Sequence, residues 1–307
     1  MNLLLAAAFV ICWSSGFIGA KLGAGSADAS TILMWRFLPL TLLLAVVVFA
    51  VQRNAFRALG SAELGRQAAI GILSQSGYLL TVYYAIQLGV SSGTTALIDG
   101  TQPLVAGALA GPLLKQHISA RQWLGFCLGL AGVIVVTTAD ASASAGVAWW
   151  AYAVPFVGMF CLIAATFIER GFETSLAPLP TLLIHCTTSA AIFSVLAIST
   201  GNAVPPAEPS FWLAIGWLVI LSTFGGYGLY WIILNRSGVT KVNTLMFLMA
   251  PVTTIWGALA FGEPLGVQTI AGLTLGLLAV IIVYRYDRTQ VRTEGQNRRQ
   301  RTRSATP

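Results

Sequence analysis

Charge is the first thing this sequence lacks. Asp, Glu, Lys and Arg make up only 9% of its 307 residues, where an ordinary soluble domain carries about 25%. So few charges cannot cover a water-soluble globule of 32.4 kDa, which excludes a cytosolic enzyme and a disordered chain. The four cysteines, Cys12, Cys127, Cys161 and Cys186, all fall in apolar stretches without metal-ligand spacing. They exclude a secreted disulfide scaffold and read as small buried hydrophobes. Histidine occurs twice, as His117 and His185, and no His-Glu-x-x-His helix is present. With two histidines and one carboxylate deep in an apolar stretch, no acid–base pair or metal cluster can be assembled. The chain reads as a non-enzyme without cofactor or metal.

Apolar residues are what it has in quantity: 56%, with a mean hydropathy of +0.79. A helix crosses the roughly 30 Å of hydrocarbon with about 20 such residues. Broken at its charged, Pro-rich and Gly/Ser-rich points, the chain yields ten stretches of that length: 3–22, 30–51, 67–87, 91–113, 122–138, 147–168, 178–200, 210–234, 242–261 and 266–284. A β-barrel would alternate apolar and polar residues, whereas Leu42 to Val51 is continuously apolar. The N-terminal stretch has no basic flank and no small-residue cleavage site, so it reads as the first helix and not as a signal peptide.

The net charge of +7 sorts by side. With the N-terminus in the cytoplasm, the inner loops hold Arg53, Arg57, Arg66, Lys115, Arg121, Arg170, Arg236 and Lys241. The tail adds Arg285, Arg288, Arg292, Arg298, Arg299, Arg301 and Arg303, placing 15 of 17 basic residues inside. That is the positive-inside pattern, and ten crossings return the C-terminus to the cytoplasm. The tail, 285–307, carries net +5 and reads as a basic, disordered, lipid-contacting end and not as a nucleic-acid arm. The expected location is the cell (inner) membrane.

The chain also repeats itself. Slid by 149 residues, Lys21 meets Arg170, Arg36 meets His185, Gly77-Tyr78 meets Gly226-Tyr227, and Gly89-Val90 meets Gly238-Val239. A shift of 148 pairs Pro103 with Pro251, and one of 147 pairs Gly125 and Gly129 with Gly272 and Gly276. Each half holds five spans, and an odd number reverses topology. The expected fold is therefore all-α and integral to the membrane: ten transmembrane helices as two inverted five-helix repeats, 1–138 and 147–284. That architecture is typical of secondary transporters, which bind substrate near the midplane between repeats.

From residues 3 to 284 the sequence resembles the drug/metabolite transporter superfamily in its EamA-type branch. The resemblance rests on Trp13-Ser14-Ser15-Gly16-Phe17 with Lys21, on Arg36-Phe37, and on Pro251, Phe261-Gly262-Glu263-Pro264-Leu265, Gly272 and Gly276. It implies a ten-helix exporter of small metabolites, often amino acids, with a central cavity lined by helices 1, 3, 4, 6, 8 and 9. It also implies dimer contacts through helices 5 and 10, where Gly125, Gly129 and Gly132 and the pair Gly272 and Gly276 form small-xxx-small faces. Packing within one chain would use the same faces.

The few polar residues inside spans are the candidates for chemistry. Asp99 lies eight residues into the fourth span, where a carboxyl must face a cavity or a partner. It is the candidate for proton coupling or for binding a substrate amine, against a structural role beside Pro103. Arg36 and His185 either bind a substrate carboxylate or phosphate, or anchor helices, with Arg36 snorkelling to the interface. Trp13, Ser14, Tyr78, Tyr83, Phe160, Tyr227, Tyr230 and Trp231 are candidate lining residues for an amphiphilic substrate; packing or interfacial roles are the alternative. Pro103 and Pro251 are candidate hinges. The expected function is secondary export of a small metabolite, an amino acid or related amphiphile, by alternating access. A membrane-embedded ligand-binding or sensory protein without net flux is the alternative.

Overall fold

The computed structural model describes residues 3–56, 59–114, 119–144, 146–171, 176–237, 242 and 245–283, without the side chains of 110–114, 170, 231 and 235. All regular structure among the described residues is helical. The first two predicted spans are single helices, α1 (Leu3–Ala24) and α2 (Ala29–Val51). The third combines α3 (Ser61–Gly71), a π-helical segment (Ile72–Gly77) and α4 (Tyr78–Gln87). The fourth is divided at Thr101 into α5 (Ser92–Gly100) and α6 (Gln102–Leu114). Then come α7 (Ala120–Ala143), a 3-10 turn (Trp149–Ala153) leading into α8 (Val154–Arg170), and α9 (Pro178–Ser199). The eighth span repeats the third: α10 (Pro209–Trp217), a π-helical segment (Leu218–Tyr227) and α11 (Gly228–Ser237). The ninth and tenth hold α12 (Met249–Phe261) and α13 (Val267–Val283).

Among the described residues, seven of these stretches are long and apolar enough to cross a membrane: the first, second, third, fifth, sixth, seventh and eighth. The other three are helical over shorter lengths. Pro103 and Pro251, expected in mid-span, each stand in the first turn of a helix, α6 and α12, and Pro155 does the same in α8. A missing N–H costs no helical hydrogen bond there. Pro39, by contrast, lies inside a helix, α2. The four cysteines are not uniformly buried either: Cys186 is buried, Cys12 and Cys161 are half-buried, and Cys127 is exposed.

The chain forms two compact units. The first comprises Met1–Gly100 and Asp140–Leu265. Its main core gathers Phe17, Ile32, Leu33, Phe37, Phe193 and Phe211. Phe37 and Phe193, on α2 and α9, set their rings 5.4 Å apart. A smaller core joins Phe9 and Val10 of α1 to Ile233 of α11 and to Val242 and Leu245.

The second unit comprises Thr101–Ala139 and Gly266–Pro307. There the glycine faces expected on the fifth and tenth spans meet within one chain. A Cβ on Gly132 would stand 2.6 Å from the carbonyl oxygen of Gly272 and 3.1 Å from the nitrogen of Gly276. Backbone lies against backbone, so α7 and α13 pack only because no side chain intervenes.

Candidate functional site

The candidate site lies in the first unit and is built around α5. Its sequence, Ser-Gly-Thr-Thr-Ala-Leu-Ile-Asp-Gly, is poor in helix formers. Nine residues of this kind do not hold a helix alone; burial and capping do. Every residue from Ser92 to Asp99 is buried. At its N-terminus the Ser92 N–H donates to both Glu263 oxygens, at 2.8 and 3.0 Å, and the Ser92 hydroxyl donates to Oε2 at 2.7 Å. The Ser91 N–H donates to Asp140 Oδ2 at 3.0 Å. Two carboxylates thus take up the Ser91 and Ser92 N–H donors and meet the positive end of the helix dipole. Glu263 gets there because Gly262, at φ 66°, ends α12 in the left-handed region and turns the chain back. Lys21 Nζ stands 3.6 Å from the same carboxylate.

Asp99 sits at the other end of α5, buried. Its Oδ2 accepts from the Tyr78 hydroxyl at 2.8 Å, while its buried Oδ1 has no hydrogen-bond partner among the described residues.

Arg36 does not snorkel. It is 4% exposed, and its guanidinium points into the bundle. Nη1 donates to the Tyr83 hydroxyl at 2.7 Å; Nη2 donates to Thr223 Oγ1 at 3.1 Å and to Ser222 Oγ at 3.4 Å. Its Nε is buried with no partner among the described residues, and Cζ stands 5.5 Å from the Phe37 ring centroid. Tyr78 and Tyr83, both on α4, therefore hold one buried charge each.

Of the remaining candidates, Trp13 pairs with Tyr227 and Tyr230 at centroid distances of 5.5 and 5.8 Å. Phe9 joins the group 5.5 Å from Trp13. Ser14 is buried and donates to the Met249 carbonyl oxygen at 3.4 Å. Phe160 stands apart on α8, 51% exposed and in no ring pair among the described residues. The side chain of Trp231 lies outside the described residues. His185 is not with Arg36: its Nε2 is 3.0 Å from Gln67 Oε1, linking α9 to α3. Ser91 lies in Gly89-Val90-Ser91-Ser92-Gly93, spaced like a hydrolase Gly-x-Ser-x-Gly turn. Its hydroxyl, however, donates to Thr94 Oγ1 at 2.8 Å, as part of the α5 cap.

Sequence reasoning missed the two π-helical segments. Such segments are rare and cluster at functional sites. Here one lies in the third span and one in the eighth, at positions the 149-residue shift superposes. Each ends beside a matched Gly-Tyr pair, Gly77-Tyr78 or Gly226-Tyr227, the signal that marks them in the sequence. Each is also held from the opposite half. Cys12 of α1 packs on Gly225, and Cys161 of α8 packs on Gly77. Ser189 of α9 hydrogen-bonds Ser76 and Gln75, while Arg36 of α2 hydrogen-bonds Ser222 and Thr223.

A profile of the EamA-like transporter family matches the chain twice, over residues 1–138 and 148–285. The chain belongs to the EamA-like transporter family. Among the relatives of this EamA-like protein is the uncharacterized transporter YyaM of Bacillus subtilis, 25% identical over 291 residues that cover 89% of this chain and 90% of the relative. A protein of Salmonella typhimurium named "probable amino-acid metabolite efflux pump" is 22% identical over 298 residues, covering 93% and 96%. A solved crystal structure shares the fold, with a TM-score of 0.66 and 16% identity over 94% of this chain and 97% of its own. The EamA-like chain is thus a multi-pass membrane protein of a transporter family.

Proposed function

We propose that this protein is a secondary active transporter that exports a small metabolite, an amino acid or related amphiphile, across the inner membrane by alternating access. In this reading ten crossings form two inverted five-helix repeats with both termini in the cytoplasm. One observation carries it: the crossed holding of two sequence-equivalent π-helical segments, Cys12 on Gly225 and Cys161 on Gly77. An exchange between two pseudo-symmetric states needs elements of one half that bear on the other. Trp13, Tyr78, Tyr227 and Tyr230 supply aromatic surface beside these segments. Asp99, with one carboxylate oxygen unengaged, is the proton-coupling group. The name of the Salmonella relative supports an amino-acid-like cargo.

The test is efflux from proteoliposomes loaded with individual amino acids, with and without a pH gradient. Saturable efflux that the gradient accelerates is expected, and Asp99→Asn removes the acceleration. Ligand binding without flux of any solute would favour a sensor, and undiminished proton dependence in Asp99→Asn would remove Asp99 from coupling.

A further inference from the structure

We propose that Arg36 is the residue that recognises a carboxylate on the solute, an inference that rests on the transporter reading and names the chemistry of its cargo. A guanidinium stays charged at every accessible pH. Buried charges are paired with an opposite charge unless something else compensates them. Arg36 is 4% exposed, yet its three hydrogen-bond acceptors among the described residues are neutral hydroxyls, on Tyr83, Ser222 and Thr223. Asp99, the buried acid at the end of α5, is engaged by Tyr78. If Arg36 served only to tie α2 to the π-helical segment, a neutral Gln or Asn would do so without bringing an uncompensated charge into the bundle.

The arrangement around the guanidinium is that of an incomplete anion site. Nε is buried and has no partner among the described residues, so the fork still has a donor to offer. The Ser222 contact, at 3.4 Å, is the longest of the three and the easiest to exchange. The Tyr83 and Ser222 hydroxyls can rotate to donate toward an incoming oxyanion, whereas Thr223 Oγ1 donates to the Leu218 carbonyl oxygen at 3.0 Å and acts on Arg36 only as a competing acceptor. Among the described residues one cation, Arg36, makes these hydrogen bonds, with the Phe37 ring beside it. A single negative charge on a partly apolar solute matches that set better than a dianionic phosphate, for which a second cation would be expected.

The experiment compares each of the proteinogenic L-amino acids with its own carboxamide. Binding is read as ligand-induced thermal stabilisation of the purified full-length protein, and flux as efflux from proteoliposomes. Wild type is expected to prefer at least one acid over its amide by roughly tenfold or more. In Arg36→Gln that preference should fall to about twofold or less while amide binding persists. Should Arg36→Gln fail to fold, Thr223→Val, which removes one competing acceptor, is expected to raise the acid-over-amide ratio. Binding of no acid, equal binding of acids and amides by wild type, an intact preference in Arg36→Gln, or an unchanged ratio in Thr223→Val would each overturn the proposal. Acid-selective stabilisation that depends on Arg36 but comes without flux would uphold it and sink the transporter reading instead.

Discussion

The Tyr78 hydroxyl donates to Oδ2 of Asp99 at 2.8 Å and leaves Oδ1 buried and unengaged. One phenol from α4 thus half-satisfies an acid at the end of α5. Hydrogen bonds to charged groups contribute about 1.5–3 kcal/mol. Tyr78→Phe is expected to destabilise the protein by an amount in that range and Asp99→Asn by less. Thermal unfolding of both variants and of the double variant should give a coupling of at least about 0.5 kcal/mol. Additivity would show that the bond carries no weight.

Glu263 closes the opposite end of α5. Loss of a helix cap costs about 0.5–2 kcal/mol, and Glu263→Ala is expected at the upper end because the Ser92 N–H and hydroxyl both lose their acceptor. Gly257→Ala should have the same effect with the acid still in place, since its Cβ would collide with Glu263 Oε2 and with Ser92 Oγ and push them apart. Detergent thermal stability of the two single variants and of the pair checks this, with a double variant no worse than the worse single one.

In the second unit, Gly132→Ala sets a methyl 2.6 Å from the Gly272 carbonyl oxygen, and Gly272→Ala sets one 2.7 Å from that of Gly132. Neither backbone can yield cheaply, and overpacking of this kind costs roughly 1–3 kcal/mol. Both variants are expected to lower the unfolding temperature, whereas Gly107→Ala, whose Cβ meets nothing within 4 Å, should not.

His185 faces Gln67 and not the guanidinium of its repeat partner Arg36. His185→Ala is expected to cost about 0.5–1.5 kcal/mol, the value of one hydrogen bond. Efflux per folded molecule should stay within about twofold of wild type, a change of roughly 0.4 kcal/mol or less. A tenfold loss of efflux at unchanged stability would return His185 to the transport site.

Much of this molecule was legible in the amino-acid sequence, because the properties concerned are local or additive. Membrane residence follows from apolar runs such as Leu42 to Val51, and the repeat from ordered coincidences such as Gly77-Tyr78 with Gly226-Tyr227. Asp99, Arg36 and His185 stand out because each is anomalous among apolar neighbours, whatever they touch.

Partners were a different matter. Nothing in the spacing says that Arg36 would meet Ser222 and Thr223, more than 180 residues away, or that Glu263 would cap a helix beginning at Ser92. Nor does Pro103 announce that the fourth span divides at Thr101 with the proline already past the break. Helix register also escapes the sequence, because the π-helical segments are held from other elements: by the close approach of Cys12 to Gly225 and of Cys161 to Gly77. The sequence by itself determined which residues are costly to bury and that the chain lives in a bilayer. The tertiary structure alone decided which of those costs are offset, at Asp99 by Tyr78 and at Glu263 by Ser92 and Lys21, and that among the described residues Arg36 meets hydroxyls and no counter-charge. The physical reason is that compensation of a buried charge depends on distances between segments remote in the chain, and only packing sets those.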